Sequence, residues 1–276
     1  MPIVTFCNGT GEQCGTTSSS VAFATQVAME HNMKILVLTT SFNDSLIKDC
    51  FWKQTKRSIF FKSANQGIEN AGIEGLNRLI RSNRITPDSI TDYTKVVLTG
   101  RLEILLGIEG NTEQFELVKD RYPIIIDQAG RYYDMVVVDL DRGIGEQTTT
   151  EILKKSDIVV AMVSQRSKSI IKTKELISQS DFLKDENTLI TIGNYMKKTK
   201  YNAKNITRNL LKRKNIINTI PYNNLFFEAS QEGKIIDLFL RFMSLNEKDE
   251  NYFFISEIKR LHENINTKLK MVKMMK

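Results

Sequence analysis

The chain has 276 residues, 41% of them hydrophobic and 26% charged, which is globular composition with ample material for a core, in one large domain or two small ones. Apolar runs such as Ile158 to Val163 fall far short of the roughly 20 residues that span a bilayer, so a membrane-crossing helix is excluded. The excess of 39 basic over 32 acidic residues, a formal +7, allows contact with nucleic acid or an anionic membrane without requiring either.

Short β-branched runs alternate with helical patterns, the signature of βαβ units in a parallel sheet. The first run is Ile3 to Phe6. A polar, glycine-containing loop leads to a helix over Ser19 to His31 with Val21, Ala24, Val27 and Ala28 on one face, and the strand Lys34 to Thr40 closes the unit. Residues 42–100 are less regular and read as a helical insertion beside the sheet, with helices near Ile73 to Ser82 and Pro87 to Lys95. A strand Leu102 to Leu106, helices Thr112 to Asp120 and Ile124 to Tyr132, and the strand Met135 to Asp139 come next. The strand Ile158 to Val163, helix Ser169 to Gln179, strand Thr188 to Ile192, a helix within Asn202 to Arg213 and a strand Ile216 to Ile220 complete the pattern. The expectation is therefore an α/β domain over 1–245, a doubly wound, mostly parallel sheet of about seven strands flanked by helices.

Residues 246–276 read as an amphipathic helical extension, with Phe254, Ile258, Leu261, Ile265, Leu269 and Val272 at helical spacing. Such a helix packs on its own domain, zips against a second chain, or lies on an anionic membrane through the lysines and methionines of its last turns. Cys7, Cys14 and Cys50 are an odd set without C-x-x-C spacing, and only His31 and His262 supply imidazole. Reduced thiols are expected, with neither a disulfide framework nor a zinc site. The start Met1-Pro-Ile-Val-Thr-Phe has no signal-peptide pattern, so a cytoplasmic location is expected.

The loop Asn8-Gly-Thr-Gly-Glu-Gln-Cys-Gly-Thr-Thr-Ser sits between strand and helix, where backbone amides and a helix N-terminus can surround a phosphate. A dinucleotide fingerprint is disfavoured, because Gly9, Gly11 and Gly15 are spaced two and four apart rather than two and three. The loop resembles that of the deviant P-loop family of MinD and ParA, K-G-G-x-G-K-T-[TS]. Set against it, Gly11 takes the place of the signature lysine, Glu12 and Gln13 replace two glycines, Cys14 fills the variable position and Gly15 is kept. Thr16 replaces the Walker lysine, Thr17 keeps the magnesium-coordinating hydroxyl, and Ser18 follows it.

Met135-Val-Val-Val-Asp139-Leu-Asp141-Arg-Gly143 resembles the family's switch II segment, which implies that Thr17 and Asp139 hold magnesium. Ile35-Leu-Val-Leu-Thr39-Thr40-Ser41 lacks the family's strand-end aspartate, and hydroxyls are no base near neutral pH. Asn194 and Ile220-Pro221-Tyr222-Asn223 are similar to the family's base-binding region. The resemblance implies ATP or ADP with magnesium as cofactor, at a nucleotide site of Gly11, Glu12, Gln13, Cys14, Gly15, Thr16, Thr17, Ser18, Asn194 and Pro221. With both lysines gone and Glu12 adding negative charge, hydrolysis suffers more than binding.

The degraded loop and the Ile-Pro-Tyr-Asn segment most resemble the CpaE and TadZ type proteins, which help position Tad pilus machinery. That implies a homodimer acting as a pseudo-ATPase localisation or assembly factor for protein partners at a membrane-associated machine. Alternatives are an active positioning ATPase with a non-standard loop, and a DNA-associating scaffold. The latter would use the acid-free run from Lys197 to Lys214, with Lys212, Arg213 and Lys214 as candidates for non-specific phosphate contact.

Overall fold

The computed structural model describes residues 1–8, 11–43, 46–53, 72–180, 186–208 and 217–275. Eight strands form one sheet among them: β1 Ile3–Asn8, β2 Ile35–Thr39, β3 Lys95–Leu98, β4 Leu102–Leu105, β5 Met135–Leu140, β6 Ile158–Val163, β7 Thr188–Tyr195 and β8 Asn218–Pro221. Their spatial order is β3-β4-β2-β5-β1-β6-β7-β8. All neighbours are parallel except the edge strand β3, which runs antiparallel to β4.

The described helices are α1 Thr16–Glu30, α2 Leu46–Phe51, α3 Ile73–Arg81, α4 Thr112–Val118, α5 Tyr122–Ala129 and α6 Glu146–Lys155. They continue as α7 Ser167–Gln179, α8 Ala203–Ile206, α9 Asn224–Glu232, α10 Ile235–Phe242 and α11 Tyr252–Met275. Every residue of β2, β4, β5 and β6 is buried, as continuous apolar strands require when both faces are covered. On β5, Met135 and Val137 join one core with α1, α10 and α11, whereas Val136 and Val138 join the other with α3, α4, α5 and α6. A strand's two-residue side-chain period divides the sequence between the two layers.

The structure departs from the expectation in three places. The segment Pro87 to Lys95 is a 3-10 helix over Asp88–Tyr93 that runs into β3, so the end of the insertion belongs to the sheet. A turn through Thr99 and Gly100, the latter at φ 71°, returns the chain to β4, a left-handed backbone that glycine adopts without steric cost. Helix α6 was not foreseen: Glu-Gln-Thr-Thr-Thr-Glu-Ile-Leu-Lys-Lys buries only Thr148, Ile152 and Leu153, too few apolar positions to print a helical period. Helices α9 and α10 fill a stretch in which the sequence pattern marks no element; their Phe226, Leu238, Phe239 and Phe242 are core residues.

Helix α11 lies against its own chain over most of its length. Phe254, Ile255, Ile258, Leu261 and Ile265 are buried in the same core as α1 and the sheet. Thr219 of β8 hydrogen-bonds the Glu257 carboxylate, and Asn264 Nδ2 donates to Asn218 Oδ1 at 2.6 Å. Beyond Leu269 the character changes, with Met271 54% and Met274 86% exposed. No helix among the described residues is long and apolar enough to cross a membrane.

Candidate functional site

The chain leaves β1 towards α1 in one layer and leaves β5 towards α6 in the other. Adjacent strands whose connections depart to opposite faces leave a crevice at their carboxyl ends, the usual ligand position in open α/β sheets. Residues 11–17 and the turn after β5 meet there. Gly15, at φ 69°, caps α1 in the left-handed region, and α1 begins with no side-chain cap and no acidic residue in its first turn. Its first amides are thus available to an anion.

Thr17 and Asp139, distant in sequence, are brought together: Thr17 Oγ1 donates to Asp139 Oδ2 at 2.9 Å. The same carboxylate oxygen lies 3.3 Å from Thr39 Oγ1 of β2. Asp139 is 2% exposed. A hydroxyl and a carboxylate at this separation match the oxygen ligands that magnesium takes, so Thr17 and Asp139 fit the cation that the resemblance implies.

The remaining loop residues are held from three directions. Gly11 N donates to Asn8 Oδ1 at 3.2 Å, and Asn8 Nδ2 reaches the Glu12 carbonyl, so one strand-end amide fixes the turn and consumes the Gly11 donor. Ser164 Oγ at the end of β6 donates to Glu12 Oε2 at 2.5 Å, which anchors the unexpected carboxylate on a neighbouring strand. Gln13 and Ser18 are exposed. Thr16 Oγ1 lies 3.3 Å from Cys14 Sγ. Burial pushes the Cys14 thiol upward, against hydrogen bonds from Thr16 and the loop backbone, and burial also raises the Cys7 thiol to about 12; neither sulfur adds charge to the crevice.

Asn194 stands next to the loop. It belongs to β7 rather than following it, at φ 48° and at an irregularity in the pairing with β8. An ideal Cβ on Gly15 would lie 2.9 Å from Asn194 Oδ1, and one on Gly193 would lie 2.0 Å from the Cys14 carbonyl oxygen. Glycine at both positions lets β7 and the loop interlock. Replacing Gly193 by Ala should destabilise the protein by about 1–3 kcal/mol. Gly72→Ala, whose Cβ approaches nothing nearer than 4.0 Å, should stay within about 0.5 kcal/mol of wild type. Equal melting temperatures for G193A and wild type would show that the loop moves off β7 freely.

Pro221 ends β8 and is buried, and Tyr222 N donates to Tyr195 O at 3.2 Å, one strand beyond Asn194. Lys212, Arg213 and Lys214 lie outside the described residues. Sequence reasoning missed Asn8 and Ser164. Asn8 directly before the glycine-rich turn was the available signal, since its amide can close such a turn; Ser164 reaches the loop only through strand order.

No protein-family profile matches the chain, and no curated protein matches it in sequence. Solved structures do match. A ParA family ATPase from Chlorobium tepidum superposes with a TM-score of 0.67 at 14% identity, covering 97% of this chain and 98% of the other. The septum site-determining protein MinD of Pyrococcus horikoshii, complexed with Mg-ADP, gives 0.62 at 12% identity, with 97% and 98% covered. A chain of the MinC:MinD cell division protein complex of Aquifex aeolicus gives 0.61 at 17% identity, with 95% and 96% covered. At such identities the likeness speaks for architecture: this chain has the doubly wound fold of the MinD and ParA P-loop proteins over nearly its whole length.

Proposed function

We infer that the protein is a MinD/ParA-fold localisation or assembly factor that holds adenine nucleotide with magnesium weakly and does not hydrolyse it. One juxtaposition carries the reading. Thr17 and Asp139 stay in contact at 2.9 Å beside an uncapped helix N-terminus, while Gly11 and Thr16 stand at both lysine positions and Thr39 ends β2 with Thr40 and Ser41 following it. The first pair supports ground-state binding of a metal-bound phosphate; the losses remove charge stabilisation and a base from the transition state. The MinD of Pyrococcus horikoshii that shares the fold was solved with Mg-ADP, which favours this ligand class.

The proposed partners are a second copy of the chain and proteins of a membrane-associated machine of the pilus or secretion type. The exposed lysines and methionines after Leu269 would face the membrane. Calorimetric titration with ATP and ADP, with and without magnesium, coupled to phosphate release on the same preparation, tests the reading. The expected result is magnesium-dependent binding without turnover. Steady phosphate release would establish an ATPase instead. A random-duplex gel shift abolished by neutralising Lys212, Arg213 and Lys214 would favour a DNA-associating scaffold.

A further inference from the structure

The turn after β5 carries an arginine whose position nothing in the fold explains. Arg142 opens the 3-10 turn Arg142–Ile144, three residues beyond the Asp139 that bonds Thr17. Its guanidinium rests against the bare face of Gly11: an ideal Cβ there would lie 2.7 Å from Arg142 Nη1 and 3.9 Å from Cζ. Any side chain at position 11 would displace it, so the residue that removes a lysine from the loop also makes room for this arginine.

Arg142 is exposed and forms no ion pair among the described residues. Asp141, Asp139 and Glu12 each have another hydrogen-bond partner. Asp141 Oδ1 accepts from Gly143 N at 2.6 Å, Asp139 accepts from Thr17, and Glu12 accepts from Ser164. A guanidinium presents five donors in a planar fork suited to phosphate oxygens. That of Arg142 stands at Gly11, in the same loop that carries the Thr16 and Thr17 hydroxyls and leads into the N-terminus of α1.

We propose that Arg142 is the cationic phosphate ligand of this crevice, supplied by the turn after β5 in place of a lysine from the loop. The proposal rests on the nucleotide reading above and assigns the charge that the loop itself lacks. Because the cation comes from the same chain, phosphate binding does not depend on a second copy.

The test is calorimetric titration of wild type, R142Q, R142K and R131Q with Mg-ATP and, separately, with magnesium pyrophosphate. Arg131 lies near the opposite end of β5, paired with Asp127 at 2.9 Å, so R131Q controls for net charge. The expected result is a loss of about 10- to 100-fold in affinity for both ligands in R142Q, a smaller loss in R142K and none in R131Q. Affinity in R142Q equal to wild type for both ligands would overturn the role of Arg142 and leave the nucleotide reading standing. Wild type that binds pyrophosphate but not ATP would sink the nucleotide reading, and the loss in R142Q would still support the arginine. Wild type that binds neither would overturn both.

Discussion

Deleting residues 252–276 is expected to leave no folded protein. The deletion removes Phe254, Ile255, Ile258, Leu261 and Ile265, each at most 5% exposed, and at about 1.5–3 kcal/mol per buried side chain the loss is on the order of 10 kcal/mol. Whole domains are stable by only about 5–15 kcal/mol. The cut also bares Phe23 of α1 and Ile220 of β8, core partners of the helix, and leaves Thr219 and Asn218 without Glu257 and Asn264. A chain cut after Leu269 should melt within about 0.5 kcal/mol of wild type, since none of the described side chains it loses, Lys270 to Met274, is buried. Circular dichroism melts of the two proteins decide the matter; a cooperative native-like melt of the longer deletion would refute the packing account. The shorter deletion then isolates the membrane question, because foci lost from a folded protein implicate Lys270, Met271, Lys273 and Met274. Unchanged foci would remove the tail from the proposed localisation role.

The second large effect is expected at Glu103, a carboxylate 5% exposed within β4. Lys34 Nζ lies 3.0 Å from Oε1, while the Tyr133 hydroxyl donates to Oε2 at 2.5 Å and the Thr94 hydroxyl at 2.8 Å. Burial by itself would raise the carboxyl, but the hydrogen bonds from Tyr133, Lys34 and Thr94 and the charge of Lys34 hold it below its ordinary 4.5. Glu103→Ala strands a buried tyrosine hydroxyl and removes the carboxylate paired with Lys34, and should cost about 3–5 kcal/mol. Tyr133→Phe removes one neutral donor and should cost about 1–2 kcal/mol. The sign of the pH effect follows from the depressed value. The contribution of Glu103 is complete above the ordinary carboxyl range and is lost as pH falls through the lower folded-state value. E103Q should therefore be less stable than wild type at pH 7 and approach it in acid. Denaturant melts at pH 7 and pH 3 measure this, and a constant difference between the two proteins would rule the account out.

Much of the fold was legible because parallel strands buried on both faces are written as unbroken apolar runs. Met135 to Asp139 and Ile158 to Val163 were placed within a residue or two of β5 and β6. The N-terminus of α4 was equally readable, since Asn111 and Gln114 close a capping box. β3 was not, because Lys95-Val-Val-Leu is short and half exposed and owes its strand conformation to pairing with β4 rather than to its own pattern. Of the candidate site, the loop Gly11 to Thr17 and Asp139 were named through the resemblance of their segments to the MinD and ParA loop and switch II patterns. The support of Glu12 by Ser164 could not, being a contact between residues 152 positions apart.

The layer architecture, the order of strand, loop and helix, the lack of lysine at Gly11 and Thr16, the hydroxyl of Thr17 and the carboxylate of Asp139 can all be read along the chain. These are local properties, set by hydrophobic period and residue chemistry. What those residues meet is set by how the strands are ordered in the sheet. The sheet order sets β5 beside β1 and β2, so that Asp139 lies opposite Phe6 and Thr39 and within reach of Thr17. It carries Arg142 over Gly11, sets Asn194 against Gly15, and folds α11 onto β8 and α1 as part of the core. Such contacts depend on strand order and on the direction each connection takes, and a one-dimensional pattern does not encode either for residues far apart in the chain.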